Sequence, residues 1–350
     1  MIATPHSDTN AIPGQTVTPG CCLHIGLPKT ATKTLQMGMF VRHSDVDYLG
    51  TYSVENHDTA RGSFLPKQCR DQHVAQLMNE LIWDNYKQPD FSLCRDLYAH
   101  AVQPSPDGGR VPVFSWESLL ENRHEVMRKR AENLREIFGP CRVLAMVRHP
   151  LNLIQSLYLQ LLKRDNVGGR AYVGRRPHYQ PFDRWIESNW KKPSGAPNVH
   201  LEYAKSIEVF ADVFGRKNVS VFVFEQLIDD SDAYYTSICQ FVGINADEGI
   251  AHVSGQHENP RWSDEQLRFL REIKSSWLQS LAFQFSTRPM RCKMLGLPSD
   301  HKGIPDMGNR GAQLSLSENL KQQLLDKTRE GNQWLMETWS LPLDEFNYPI

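Results

Sequence analysis

The sequence predicts an α/β fold in which a central parallel β-sheet is flanked by helices. Five short apolar runs, each long enough for a buried strand, alternate along the chain with longer segments of helical periodicity. This alternation is typical of a parallel sheet that carries helices on both faces. In addition, the first apolar run ends in a tight polar turn that leads directly into a helical pattern. Ligands of such sheets lie at the carboxyl ends of the strands.

Each element follows from a local pattern. The strands are expected at residues 21–25, 46–49, 111–114, 141–147 and 219–224. A helix starts near Leu35, and further helices are expected at 67–83, 91–102, 123–138, 151–163, 182–190, 201–214, 233–241, 259–281 and 317–339. Residues 1–19 are rich in Pro, Thr, Ser and Asn and predict a disordered leader, whereas 20–350 form one domain with extra C-terminal helices. Residues 288–311 are expected to be a long loop.

Composition narrows the class of protein. The 350 residues are 40% hydrophobic and carry a formal net charge of -1, which argues against general attraction to nucleic acid or to a membrane surface. No apolar run approaches the ~20 residues that cross a bilayer, so a cytoplasmic protein is expected. The seven cysteines show no metal-binding spacing and predict small buried side chains in a reducing compartment. No metal is expected.

The turn after the first strand has the chemistry of an anion site. Gly26 and Pro28 end the apolar run, and the helical pattern follows within a few residues. Unpaired N–H groups and the helix dipole meet at such a helix start. Lys29 and Lys33 add whole positive charges, and three hydroxyls supply further donors, those of Thr30, Thr32 and Thr34. The expected occupant is a phosphate or sulfate group.

The same turn, GLPKTATKT, resembles a known loop. It is not a regular G-x-x-x-x-G-K-[ST] motif, because Ala31 occupies the second glycine position. It resembles the P-K-[ST]-G-T-[TS] loop with which sulfotransferases hold the 5′-phosphosulfate of 3′-phosphoadenosine 5′-phosphosulfate (PAPS). The matching positions are Pro28, Lys29, Thr30 and Thr32. Because Ala31 carries a Cβ, we expect that the loop does not need a positive φ there. The competing interpretation is an ordinary strand-to-helix turn.

A second segment, VLAMVRHPLNLIQSLY, agrees with this resemblance. Arg148 follows the strand at 141–147, and Ser156 lies eight positions later. A guanidinium recognises phosphate with forked hydrogen bonds. The segment resembles the 3′-phosphate-binding region of sulfotransferases, in which an arginine and a serine at this spacing hold the phosphate. Otherwise, Arg148 caps the sheet edge and Ser156 bonds its own helix. Residues 218–244 resemble a later scaffold unit of the family, and 259–261 lie where cofactor contacts are often added.

The resemblance implies a P-loop-type fold and a sulfotransferase that moves the sulfuryl group of PAPS to a hydroxyl and releases PAP. It implies an acceptor that is a small molecule or a saccharide, such as a carbohydrate or a glycolipid. Lys29 stabilises the charge of the transition state, and no metal is required. The expected cofactor-binding residues are Lys29, Thr30, Ala31, Thr32, Lys33, Thr34, Arg148 and Ser156.

The general base is expected to be Glu117, which leaves the strand at 111–114 on the carboxyl edge. A related position in the family holds a catalytic histidine or lies near the acceptor. The alternatives are Tyr52, Glu55 and His57, which follow the second strand. Glu117 also fits an N-terminal acid of the next helix.

The segment 164–180 is the most basic in the middle of the chain. It fits a loop that attracts an anionic acceptor and equally fits a solvated loop without a partner. Three aromatic residues in this segment or just after it suit either stacking on a sugar or packing of the loop, namely Tyr172, Tyr179 and Phe182.

Two other functions remain compatible with the sequence. An ATP-dependent P-loop kinase would use an acid at the end of a buried strand to hold magnesium, and Glu225 fits that position although we take it as structural. The second function is that of a nucleotide-binding module that does not catalyse a reaction. It is compatible with the sequence because Ala31 and Lys33 depart from the family pattern.

Overall fold

In a computed structural model, the central sheet has five strands in the order β2-β3-β1-β4-β5, and every pairing between neighbours is parallel. The structure describes residues 20–50, 69–83, 88–102, 109–120, 123–167, 177–192, 195–254, 263–295, 312 and 314–350. The strands are β1 Cys21–Gly26, β2 Val46–Tyr48, β3 Val111–Ser115, β4 Cys141–Val147 and β5 Val219–Val223. The predicted α/β class and its strands are confirmed.

Helices flank the sheet and extend beyond it. A π-helix, Thr34–Phe40, follows β1, and the π-helical turn Asn79–Trp83 continues α1. The α-helices are α1 Gln72–Met78, α2 Phe91–Ala101, α3 His124–Phe138, α4 Pro150–Val167, α5 Phe182–Trp190, α6 Asn198–Leu201, α7 Tyr203–Phe214, α8 Phe224–Asp229, α9 Ser231–Val242, α10 Ala246–Val253, α11 Asp264–Ser275, α12 Trp277–Phe285, α13 Arg288–Met294 and α14 Glu318–Trp339.

Several boundaries differ from the prediction for local reasons. The helix predicted at 67–83 starts at Gln72, because the Asp71 side chain accepts from Val74 N and caps it. The helix predicted at 259–281 breaks at Ser276, which caps α12. The long loop predicted at 288–311 is wrong at its start, where Arg288–Met294 is helical with a proline in its first turn.

The strands alternate their side chains between two cores. In β4, Val143, Ala145 and Val147 contribute to a core beneath α1, α2, α3 and α7. Leu144 and Met146 point to the other face, where the π-helix, α9 and α10 cover the sheet. Because both faces are covered, the strands form nearly continuous apolar runs.

A third apolar cluster lies among helices beyond the sheet. It contains residues of α4, α5, α11, α12, α13 and α14, with Tyr158, Phe182 and Trp185 packed ring against ring. We call it the helical annex. Helix α4 joins the two regions, since Leu153 belongs to the sheet core and Ile154 to the annex.

The cysteines depart from the prediction. Cys21 and Cys141 are register partners at the start of β1 and β4, and their sulfurs form a disulfide. The expectation of seven small buried thiols is therefore wrong for this pair, because strand pairing brings together residues 120 positions apart. A disulfide is typical of oxidising compartments, so it does not support the expected reducing one. Four of the other cysteines are buried thiols, and Cys69 is partly exposed.

Some predictions lie outside the described residues. These are the leader at 1–19, the alternative bases Tyr52, Glu55 and His57, residues 168–176 with Tyr172, and the segment 259–261. Across the described part of the chain, no helix has both the length and the apolarity needed to span a bilayer.

Candidate anion-binding site

The order of the strands fixes where a ligand can bind. β1 lies in the centre, with β3 on one side and β4 on the other, so the chain leaves β1, β3 and β4 at adjacent points of the carboxyl edge. This is the switch point at which open α/β sheets hold ligands. The three segments that leave there begin with the turn after Gly26, with Trp116 and Glu117, and with Arg148.

The turn after β1 is held closed by its own hydroxyl groups. Thr30 Oγ1 and Thr32 Oγ1 both donate to the carbonyl oxygen of Leu27, at 2.6 and 3.1 Å. Leu27 N donates to Met146 O at 3.0 Å and ties the turn to β4. Both threonines are buried, and both hydroxyl groups donate their hydrogen within the turn. That they also contact a ligand stays a prediction.

The backbone of the turn contradicts one expectation. Ala31 has φ 60° and Lys29 has φ 67°, both in the left-handed region. The expectation that the alanine excludes a positive φ is therefore wrong. A left-handed residue with a Cβ costs roughly 1–2 kcal/mol, which the closed turn sustains through the threonine hydrogen bonds.

Gly26 is required for a different reason. Its φ is 110°, and a Cβ built on it would lie 2.8 Å from Glu117 O. The end of β1 thus lies directly against the segment that carries Glu117. Trp116 N also donates to His24 O at 2.9 Å, so this segment is fixed to β1.

The helix start supplies donors. The first helical hydrogen bond runs from Leu35 N to Ala31 O, at 3.2 Å. The N–H groups of Thr32, Lys33 and Thr34 precede it and therefore have no partner within the helix ladder. Lys33 is exposed, whereas Thr34 is buried. This geometry suits an anion.

Arg148 supports the turn from the neighbouring strand. Its Nη1 donates to Lys29 O at 2.7 Å, and its guanidinium lies over the Phe224 ring, with Cζ 4.5 Å from the centroid. The side chain is only 6% exposed. The structure thus brings the two predicted motifs together, and it adds a role in holding the turn that the sequence did not indicate.

Lys29 lies in a positive environment. Burial lowers the pKa of Lys29 to about 8; the carboxylate of Glu117 opposes this effect, and the positive charges of Arg148, Lys33 and Lys163 add to it. These groups therefore act on one another across the site. The excess of positive charge around a partly desolvated ammonium group favours an anionic ligand.

Glu117 lies two residues after the end of β3, at the start of a short helix. It begins the short 3-10 turn Glu117–Leu120, whereas α3 is preceded by Arg123. Glu117 is therefore not an N-terminal acid of α3, but it is the acid in the first turn of this short helix. Its half-buried carboxylate interacts electrostatically with Lys29.

Helix α4 contributes a residue that the sequence analysis missed. Lys163 acts on the pKa of Lys29, so α4 passes close to the turn. Ser156 precedes Lys163 by seven residues and, two turns away, shares its helix face. Both side chains are half-buried. The seven-residue spacing is visible in the sequence, but only the course of α4 in the structure shows that Lys163 lies near Lys29.

A buried polar chain lies beneath the site. Gln36 Nε2 donates to Ser115 Oγ at 2.8 Å, and Ser115 Oγ lies 2.6 Å from His24 Nδ1. Burial lowers the pKa of His24 to about 3, so the ring is neutral. The chain joins β1, β3 and the π-helix.

Other candidate residues have structural contacts. Glu225 accepts from His149 N at 3.0 Å and from Tyr348 Oη at 2.7 Å, as expected of a structural acid. Tyr179 and Phe182 are buried in the annex, and Arg271 donates to Tyr179 Oη. They pack the chain and are not placed to stack on a sugar.

Within the described ranges, no cluster of three or more His, Cys, Asp or Glu could hold a metal ion. The donors at the site are cationic side chains and N–H groups, which suit an anion and not a cation.

Comparisons with known proteins give low similarity. No family model matches the chain, and no curated protein matches it. Among solved structures, a sulfotransferase from Alicyclobacillus acidocaldarius is 15% identical with a TM-score of 0.42, over 80% of this chain and 97% of that one. The sulfotransferase domain of the curacin biosynthetic pathway is 14% identical with a TM-score of 0.38, over 68% and 79%. The sulfotransferase domain of the Synechococcus PCC 7002 olefin synthase is 15% identical with a TM-score of 0.40, over 79% and 93%. At these values, the similarities carry no weight for the fold or the reaction.

Proposed function

We propose that the protein is a sulfotransferase that transfers the sulfuryl group of PAPS to a hydroxyl group. The observation that carries this proposal is the junction of the two motifs, since Arg148 Nη1 donates to the carbonyl oxygen of Lys29. Two motifs that resemble the two phosphate-binding parts of one nucleotide site thus share one edge of the sheet.

The residues at the edge fit a nucleotide with an anionic group at each end. The turn, with Lys29, Lys33 and the N–H groups of the helix start, binds the 5′-phosphosulfate. Arg148 and Ser156 bind the 3′-phosphate, and Arg148 at the same time supports the turn. Lys163 adds positive charge beside Lys29. Arginine suits the double role because its guanidinium has five N–H donors in a fixed plane.

The reaction divides between two side chains. PAPS supplies the sulfuryl group. Lys29 neutralises the charge that grows on the oxygen of the breaking S–O bond, and the acceptor oxygen bonds to sulfur in line with it. Glu117 accepts the proton of the acceptor hydroxyl. Glu117 interacts electrostatically with Lys29, so the proton acceptor and the group that stabilises the developing charge lie at the same edge of the sheet.

Binding of PAP tests the proposal. We expect saturating PAP to raise the melting temperature of the wild-type protein, because a ligand that binds only the folded state stabilises it. Lys29→Met should abolish the rise. Lys191→Met, an exposed lysine after α5, should leave it unchanged. No rise in the wild-type protein, or an equal rise in Lys29→Met, contradicts the proposal.

Transfer of labelled sulfate from PAPS to a panel of hydroxyl acceptors separates the enzyme from a binding module without turnover. We expect transfer by the wild-type protein and a loss of at least about 100-fold in Glu117→Gln. Stabilisation by ATP with magnesium in preference to PAP would favour a kinase. Against the kinase, both carboxylate oxygens of Glu225 already accept from protein donors.

A further inference from the structure

Helix α12 presents an apolar face that nothing in the described chain covers. Trp277, Leu278 and Phe285 are 69%, 62% and 71% exposed. Leu281 and Met290, the latter on α13, are also exposed. In α12, which the structure describes in full, Phe283 is the one buried side chain. A helix without a charged residue thus points most of its apolar side chains outward.

The exposed side chains of α12 lie on one face of the helix. Trp277, Leu281 and Phe285 recur every four residues, and Leu278 lies beside them on the same helix face. We call these four residues and Met290 the apolar surface. A contiguous exposed apolar patch of this kind marks an interaction site, whereas single exposed apolar residues need no explanation.

The apolar surface is firmly attached to the annex. Phe283 is fully buried in the annex cluster. The buried guanidinium of Arg291 donates to the carbonyl oxygens of Phe283, Gln284 and Asn166, at 3.0, 3.0 and 3.1 Å. These contacts join α12, α13 and the end of α4. The outward orientation of the apolar side chains is therefore part of the packed structure.

The segment that carries this surface has basic residues and no acidic ones. Residues 273–295 contain no acid, although the exposed Glu272 directly precedes them. Their basic residues are Lys274, Arg288, Arg291 and Lys293, of which Lys274 and Lys293 are exposed and Arg291 is buried. Exposed Trp and Phe side chains beside Lys and Arg are the composition of segments that lie in a membrane interface and attract anionic lipids. The net charge of the whole chain is -1, so this attraction is local.

We infer that α12 and α13 dock the protein on an anionic lipid surface, with the apolar side chains in the headgroup region. A second copy of the chain fits less well, because a two-fold contact through this face would oppose the basic residues of both copies. The inference is independent of the proposed reaction.

Co-sedimentation of the full chain with vesicles tests the inference. We expect binding to vesicles of phosphatidylcholine with phosphatidylglycerol, much weaker binding to phosphatidylcholine alone, and release by salt. The double variant Trp277→Ser/Phe285→Ser should bind the anionic vesicles at least about tenfold more weakly. Lys293→Glu should reduce binding to anionic vesicles and leave the weak binding to neutral ones unchanged.

A matched control is available. Ile228 on α8 is 72% exposed but is not part of the apolar surface, so Ile228→Ser should bind vesicles like the wild-type protein. Unchanged far-UV circular dichroism and melting temperature exclude unfolding as the cause of lost binding. Equal binding by wild type and the double variant overturns the inference. The inference is also overturned if the wild-type protein does not bind vesicles but forms a dimer in solution, and the double variant is monomeric.

Discussion

At the scale of single residues, the turn after β1 shows how a strained backbone and a functional site coincide. Lys29 and Ala31 both have left-handed angles, which glycine adopts more readily. The strain is local and is held by the two threonine hydroxyls that donate to Leu27 O. The result is a closed turn that carries Lys29 immediately before the N–H groups of the helix start.

Replacement of Ala31 by glycine should relieve this strain. We expect Ala31→Gly to raise the free energy of unfolding by about 0.5–1 kcal/mol, because the relief of the left-handed angle exceeds the added entropy of the unfolded chain. Lys33→Gly is the control: Lys33 has helical angles, φ -65° and ψ -37°, so a glycine there should lower the free energy of unfolding by about 1 kcal/mol. Urea unfolding measures both. Destabilisation by Ala31→Gly would show that the angle is not strained.

The charge of Lys29 should control anion binding. Because the pKa of Lys29 is about 8, the free protein loses this charge above that pH. We expect the dissociation constant of PAP to be flat near pH 7 and to rise by about tenfold per unit well above pH 8. Lys29→Arg, which keeps its charge, should show a flat profile. Calorimetric titration gives the profiles, and a flat wild-type profile would contradict this role.

At the scale of secondary structure elements, the site depends on how β1, β3 and the π-helix are joined. The chain from Gln36 through Ser115 to His24 connects them below the turn. A buried chain of this kind fixes relative positions more strictly than apolar contacts do, because an unmet donor or acceptor is costly. It therefore sets where Glu117, two residues after Ser115, lies relative to Lys29.

This polar chain should make the protein sensitive to acid. The pKa of His24 is lowered from 6.5 to about 3 by burial, so between these values the unfolded chain binds a proton that the folded protein does not. The free energy of unfolding should thus fall with decreasing pH, by up to about 1.4 kcal/mol per unit from this group. At pH 7, His24→Gln should be less stable than the wild-type protein. On acidification, its free energy of unfolding should fall less than that of the wild-type protein. His73→Gln, at an exposed histidine, should keep the wild-type slope.

At the scale of the whole molecule, a disulfide connects distant parts of the chain. Cys21 and Cys141 close a segment that contains β2, β3 and the helices between them. The bond lies at the start of β1 and β4, at the edge of the sheet away from the site. It thus stabilises the two central strands without contact with the candidate ligand.

Loss of the disulfide should destabilise the fold. We expect Cys21→Ser/Cys141→Ser to lower the free energy of unfolding by about 2–5 kcal/mol. The control Cys69→Ser, at a partly exposed thiol, should change it little. Alkylation under denaturing, non-reducing conditions should label five cysteines, and all seven after reduction, as measured by intact mass. Seven labelled cysteines before reduction would exclude the bond.

Local patterns determined the strands and the motif. A strand buried on both faces must be apolar along its length, so β1, β4 and β5 were visible as apolar runs, and the turn with Lys29 followed from the change of composition at Gly26. Arg148 was visible because it ends such a run. Short helices such as α8 and α10 were not predicted, since a few residues carry too little periodicity.

The tertiary structure alone decided what depends on contacts between distant residues. These are the order of the strands, the bond between Cys21 and Cys141, the hydrogen bond from Arg148 to Lys29 O, and the passage of Lys163 near the site. The left-handed angle of Ala31 also belongs here, because hydrogen bonds across the turn select it against the local preference of alanine. Local sequence patterns indicate which side chains are buried. They do not indicate which distant residues these side chains contact, because those contacts depend on how the whole chain packs.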